Sequence, residues 1–95
     1  MIKTSRDPST YLGSLLNGVR EPMEELDRLI APIMNGHPRT VWEGKFWGGT
    51  DQVIVAYGDL AMVQSRGRRV DWFMVGLAAQ RNYFSVYINA VEGSE

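Results

Sequence analysis

Apolar residues recur at two different spacings along this chain, and the period changes near residue 40. In the first part Tyr11, Leu12, Leu15, Leu16 and Val19 fall three and four apart, which predicts a short amphipathic helix. Asp7-Pro8 gives its entry, with aspartate as N-cap and proline at the first helical position, and Ser9 or Thr10 as alternative caps. Asn17-Gly18 predicts its end, since both residues tolerate a left-handed C-terminal conformation. A second helix is predicted from Glu21-Pro22, with Met23, Leu26, Ile30, Ile33 and Met34 as its buried stripe and Leu29 alongside. Its acids crowd the first turns, where the helix dipole favours them, and Pro32 predicts a kink or an end. Met1 to Arg6 read as a loose start, and Asn35-Gly36-His37-Pro38 as a loop.

Beyond Thr40 the period falls to two. Thr40 to Phe46 predicts a short strand, interrupted or bulged at Gly44. Trp47 to Asp51 reads as a connection, and Gln52 to Tyr57 as a strand rich in β-branched residues. Gly58-Asp59 predicts a tight turn into a further strand, Leu60 to Ser65. After the turn Arg66-Gly67-Arg68-Arg69 come Val70 to Leu77 and Tyr83 to Asn89, joined through Ala78 to Asn82. Short turns between these runs predict an antiparallel meander. The expected fold is α+β: two N-terminal helices packed on a four- to five-stranded, mainly antiparallel sheet. In the last strand Phe84, Val86 and Ile88 share one side and have no polar atoms to satisfy. That side is expected to face the helices and build the core.

Composition narrows the class. Ninety-five residues make one domain, 1–95, with 44% apolar and 22% charged residues, as in ordinary globular chains. The formal net charge of −1 argues against a dedicated nucleic-acid binder. The absence of cysteine excludes disulfides, thiolate metal sites and cysteine nucleophiles, and favours a cytoplasmic setting. Met1 to Pro8 has no signal-peptide pattern, and no apolar run is long enough to span a bilayer.

The stretch Asp71 to Ile88, D-W-F-M-V-G-L-A-A-Q-R-N-Y-F-S-V-Y-I, resembles the YdhG-like domains, small bacterial proteins of unknown function. Their pattern sets a Trp-Phe-x-x-Gly-Leu strand before a Lys/Arg-Asn-Tyr-x-Ser-Leu-Tyr strand. The opening helix at Tyr11 to Leu15 and the Trp/Gly segment Trp42 to Gly49 resemble it more loosely. The resemblance implies the α+β fold above. Because some members are frataxin-like iron chaperones, it also implies a possible iron cargo. Family members continue past the hairpin into a helical region, whereas this chain stops at Glu92-Gly93-Ser94-Glu95. Apolar surface left uncovered by such a difference would favour a homodimer.

Three groups of residues carry candidate chemistry. Trp72, Met74, Tyr83 and Tyr87, joined by Tyr57, Trp42 and Trp47, suggest an aromatic surface for a small molecule or a protein partner, with Arg81 as an anion contact at its rim. Plain cross-strand packing is the alternative. Glu21, Glu24, Glu25 and Asp27 suit a hard cation, and the resemblance would place iron there; a solvated helix face is the alternative. Arg66, Arg68 and Arg69 suit phosphate, or else simply guard a hairpin tip. A small enzyme using tyrosine, Asp71 or arginine side chains is the third class, and it has no visible nucleophile–base pair. His37 alone supports neither a zinc site nor a triad.

Overall fold

The structure is a computed structural model and describes residues 1–45, 51–63, 67, 69–80 and 83–89. Five strands, β1 (Ile2–Thr4), β2 (Arg39–Lys45), β3 (Asp51–Val63), β4 (Arg69–Ala79) and β5 (Phe84–Ile88), form one antiparallel sheet in chain order. Helices α1 (Pro8–Gly13) and α2 (Asn17–Ile33) lie between β1 and β2 in sequence. The chain is therefore α+β with an antiparallel meander.

Local chemistry sets the helix ends. The Asp7 carboxylate accepts from the Thr10 N–H and hydroxyl, both at 2.9 Å, with Pro8 at the first helical position. The backbone N–H of Thr10 first, and its hydroxyl second, hold the Asp7 carboxyl below its ordinary pKa. Asn17-Gly18 does not close α1; it opens α2. The carbonyl of Leu16 takes the Val19 and Arg20 N–H groups, so the second helix begins a turn earlier than Glu21-Pro22 predicts. A proline near a helix start forfeits one backbone bond, which the packing of Met23 and its neighbours outweighs. Pro32 does mark the end, one residue before the last.

Register defines two faces. Val41, Val55 and Leu77 lie side by side across β2, β3 and β4, and so do Trp42, Ile54 and Ala78 one residue along. The first set is buried with Tyr11, Leu12 and Met23 from the helices and with Tyr57. The second belongs to a separate cluster of Trp42, Ile54, Ala56, Phe73 and Ala78, to which the helices contribute nothing.

Several expectations are corrected. Gly58-Asp59 is no turn: β3 runs through it, paired to β4 on both sides without a slip in register. Gly58 takes a φ of +82° and donates its N–H to the Pro38 carbonyl at 2.7 Å, so the glycine bends a long strand. Beyond the bend the β3–β4 pair folds over the face away from the helices, where Asp59 meets Lys3 and Phe73 meets Trp42. Met1 to Arg6 are not loose, since Ile2 to Thr4 pair with Val41 to Glu43 as β1. Phe84, Val86 and Ile88 do not build the core. Their partners Ala79, Leu77 and Val75 place them on the helix side, yet they are 38%, 45% and 78% exposed. The helix-side core draws on β2, β3 and β4 and stops short of β5, which forms the margin of the sheet. Leu16, Leu29 and Ile33 are likewise exposed and leave the predicted helical stripes.

Candidate ligand recess

Three rings organise the face away from the helices. Trp42 is buried, and its ring meets Phe73 edge-on at 5.5 Å and Trp72 edge-on at 5.8 Å. Trp72 stacks on Phe73 at 4.8 Å and is only half-buried. The Trp42 indole N–H donates to the Thr40 hydroxyl at 3.2 Å, which satisfies its one polar atom.

The bend at Gly58 brings charge to this aromatic floor. Lys3 and Asp59 form an ion pair of 2.8 Å, and the Lys3 ammonium lies 5.8 Å from the Trp42 ring centroid. Lys3, Asp59, Arg69, Asp71 and Trp72 line a recess of about 320 Å³. A second recess of about 520 Å³ shares Lys3, Arg69 and Asp71 and reaches Met1, Trp42 and Val70. The two open onto the same charged wall. Two cations and two carboxylates thus line the recess together with the half-buried Trp72, in a volume suited to a small organic molecule.

The predicted aromatic residues divide. Trp72 lines the recess. Tyr87 packs on the same cluster, but its hydroxyl sits with the Gln80 amide at 3.0 Å and Gln52 at 3.4 Å. Met74 fills the space above Gly58, where an added Cβ would come within 2.6 Å of its sulfur. Tyr83 is exposed in the β4–β5 connection. Trp47, Arg81, Arg66 and Arg68 lie outside the described residues.

Tyr57 belongs to the other face. It is buried under the helices, and its hydroxyl donates to Asp27 Oδ1 at 2.6 Å. Arg39 binds the same carboxylate through Nε at 3.0 Å and Nη2 at 2.7 Å, and reaches the Ser9 hydroxyl through Nη1 at 3.2 Å. Burial first, and the hydrogen bond to Asp27 second, raise the Tyr57 phenol far above its ordinary range. Burial opposes the Arg39 charge, but the bonds to Asp27 prevail and its pKa is raised. This network ties α1 and α2 to the sheet and has no part in the recess.

It also removes Asp27 from the predicted cation site, because both carboxylate oxygens are engaged. Its sequence position carries the signal: Asp27 follows Met23 by four and precedes Ile30 by three, on the inward side of α2. Glu21 and Glu25 line a shallow hollow of about 450 Å³ with Pro22 and Leu26. Among the described residues no three His, Cys, Asp or Glu side chains gather closely enough to hold a metal ion. No helix among them is long and apolar enough to cross a membrane.

No known protein family, curated protein or solved structure matches the chain significantly.

Sequence reasoning found Trp72 by its strand position. It did not single out Lys3 or Asp59, considered Arg69 only in the arginine turn as a phosphate contact, and weighed Asp71 only as a member of the enzyme alternative. Asp59, Arg69 and Asp71 share the β3–β4 hairpin, whereas Lys3 is distant in the chain and meets them only because that hairpin bends back. The one signal for that bend was a glycine inside an otherwise β-branched run.

Proposed function

We propose that this chain is a small binding domain whose ligand lies in the recess beside Trp72. The observation that carries the reading is the juxtaposition of Lys3, Arg69, Asp59 and Asp71 around a half-exposed indole. Such a wall recognises a molecule that carries both a cationic and an anionic group, with a flat or apolar part to lie on the ring. A free amino acid is the simplest compound of that kind. Its carboxylate would meet Arg69 and its ammonium Asp71, while Lys3 and Asp59 neutralise each other at the rim. The side chains in place recognise charge and shape; they do not pair a nucleophile with a base. The reading extends the sequence expectation of a ligand surface around Trp72.

Titration of tryptophan emission with the common amino acids tests the proposal. A saturable change is expected for at least one, lost in Trp72→Ala and weakened about tenfold or more in Asp71→Asn, as loss of one charge-assisted hydrogen bond implies. Emission indifferent to every amino acid at millimolar concentration would overturn it.

A further inference from the structure

The free margin of β5 is the feature that neither the recess nor the helix-side core uses. Its backbone polarity follows from two bonds. The Gln80 N–H donates to the Tyr83 carbonyl at 2.7 Å, and the Asn89 N–H to the Met74 carbonyl at 2.9 Å. Antiparallel pairs alternate between bonded and non-bonded, so residues 83, 85, 87 and 89 turn their backbone groups towards β4. Phe84, Val86 and Ile88 therefore point theirs outward, and no strand lies beyond them among the described residues. The same three residues expose their side chains on the helix side.

The two margins of the sheet are built differently. β1 is three residues long and carries Lys3, the short and charged form that discourages strand addition. β5 is five residues long and holds no charge, no proline and no glycine. Nothing on it opposes a neighbouring strand.

We propose that β5 pairs with β5 of a second copy, antiparallel about a two-fold axis through Val86. The geometry points to that partner because the strand complements itself in one register. With Val86 opposite Val86 of the second copy, Phe84 lies opposite Ile88. Each strand offers three outward N–H and three outward C=O groups, and this register matches every one of them. Phe84 then packs against Ile88 across the axis, and Ser85 faces Tyr87 on the reverse side. With no charge on β5, no like charges meet within the strand pair. The product is one continuous sheet of ten strands, twice the five of a single copy, with both pairs of helices on the same side.

Sedimentation of the full chain tests this. The expected species has twice the 10.7 kDa mass of one chain. Val86→Pro removes only an outward N–H and keeps the bonds to β4, so it should give a folded monomer. Val86→Lys should do the same by setting two ammonium groups together at the axis, and decides the matter if the proline variant fails to fold. Val86→Cys should cross-link to itself on mild oxidation while Ile2→Cys, on the other margin, does not; the chain has no other cysteine. A monomeric wild-type chain would overturn the proposal, whether its margin is bare or covered by its own residues 90–95. So would a dimer that survives both Val86→Lys and Val86→Pro.

Discussion

The two faces of the sheet solve the same problem by different means. On one, α1 and α2 lay side chains over Val41, Val55 and Leu77 and close a buried core. A charged network is held at its edge, with every polar group partnered: Asp27 takes Arg39 and Tyr57 together. On the other face no helix lies among the described residues. The sheet covers itself by bending the β3–β4 pair at Gly58, which buries Trp42 and Phe73 but leaves Trp72 half open and brings charges to its rim. A helix supplies an apolar stripe and can seal a face completely. A bent strand pair presents alternating side chains and leaves a seam. The seam is where ligand chemistry can be placed without weakening the helix-covered core.

The largest test of this contrast is Phe73→Ala. Phe73 is fully buried among Trp42, Trp72 and Ile54, and its loss should cost about 3–5 kcal/mol in urea unfolding. A cost below that of an ordinary surface change would mean that the second cluster is not a core. Next comes Asp27→Asn. It leaves the Arg39 guanidinium, 27% exposed, without its charge partner, and should cost about 2–3 kcal/mol, less than for a fully buried pair. Gly58→Ala follows, at about 1–2 kcal/mol for a side chain at positive φ, with a further penalty from the Met74 sulfur. Alkaline unfolding gives the gentlest probe. Tyr57 and Tyr11 both have phenols raised above the ordinary 10.0, chiefly by burial. Above that pH the unfolded chain releases protons that the folded chain retains. Stability is thus complete below pH 10 and falls as pH rises, by up to ~1.4 kcal/mol per pH unit for each tyrosine. Tyr57→Phe should remove the larger part of that slope, since the rise at Tyr57 is the larger of the two; an unchanged slope would place the titration elsewhere.

How far the sequence carried depended on whether a signal was local. Strand periodicity exposed the meander, because alternation is written residue by residue. Burial on β5 was not legible: Phe84, Val86 and Ile88 alternate like core residues, and only the reach of α2 decides whether anything covers them. Asn17-Gly18 misled because both residues suit a helix end in isolation, whereas the Leu16 carbonyl makes them a beginning. Gly58 misled because Gly-Asp is turn chemistry, and a bend inside a paired strand uses the same positive φ. Of the candidate site, Trp72 was found through strand position. Lys3 and Asp59 were not, since β1 was unrecognised and the bend had been read as a turn, and Arg69 was read as part of a hairpin tip and not as a neighbour of Trp72.

The central claim is that buried clusters on both faces hold the fold while the charged rim of the recess serves binding and not stability. The urea midpoint of Asp71→Asn, set against that of Asp27→Asn, tests it most directly. Asp71 is an exposed residue at the recess and should leave stability within about 0.5 kcal/mol of wild type, whereas Asp27→Asn should lower it by about 2–3 kcal/mol. Equal losses from the two variants would contradict the division of labour between the recess rim and the buried network.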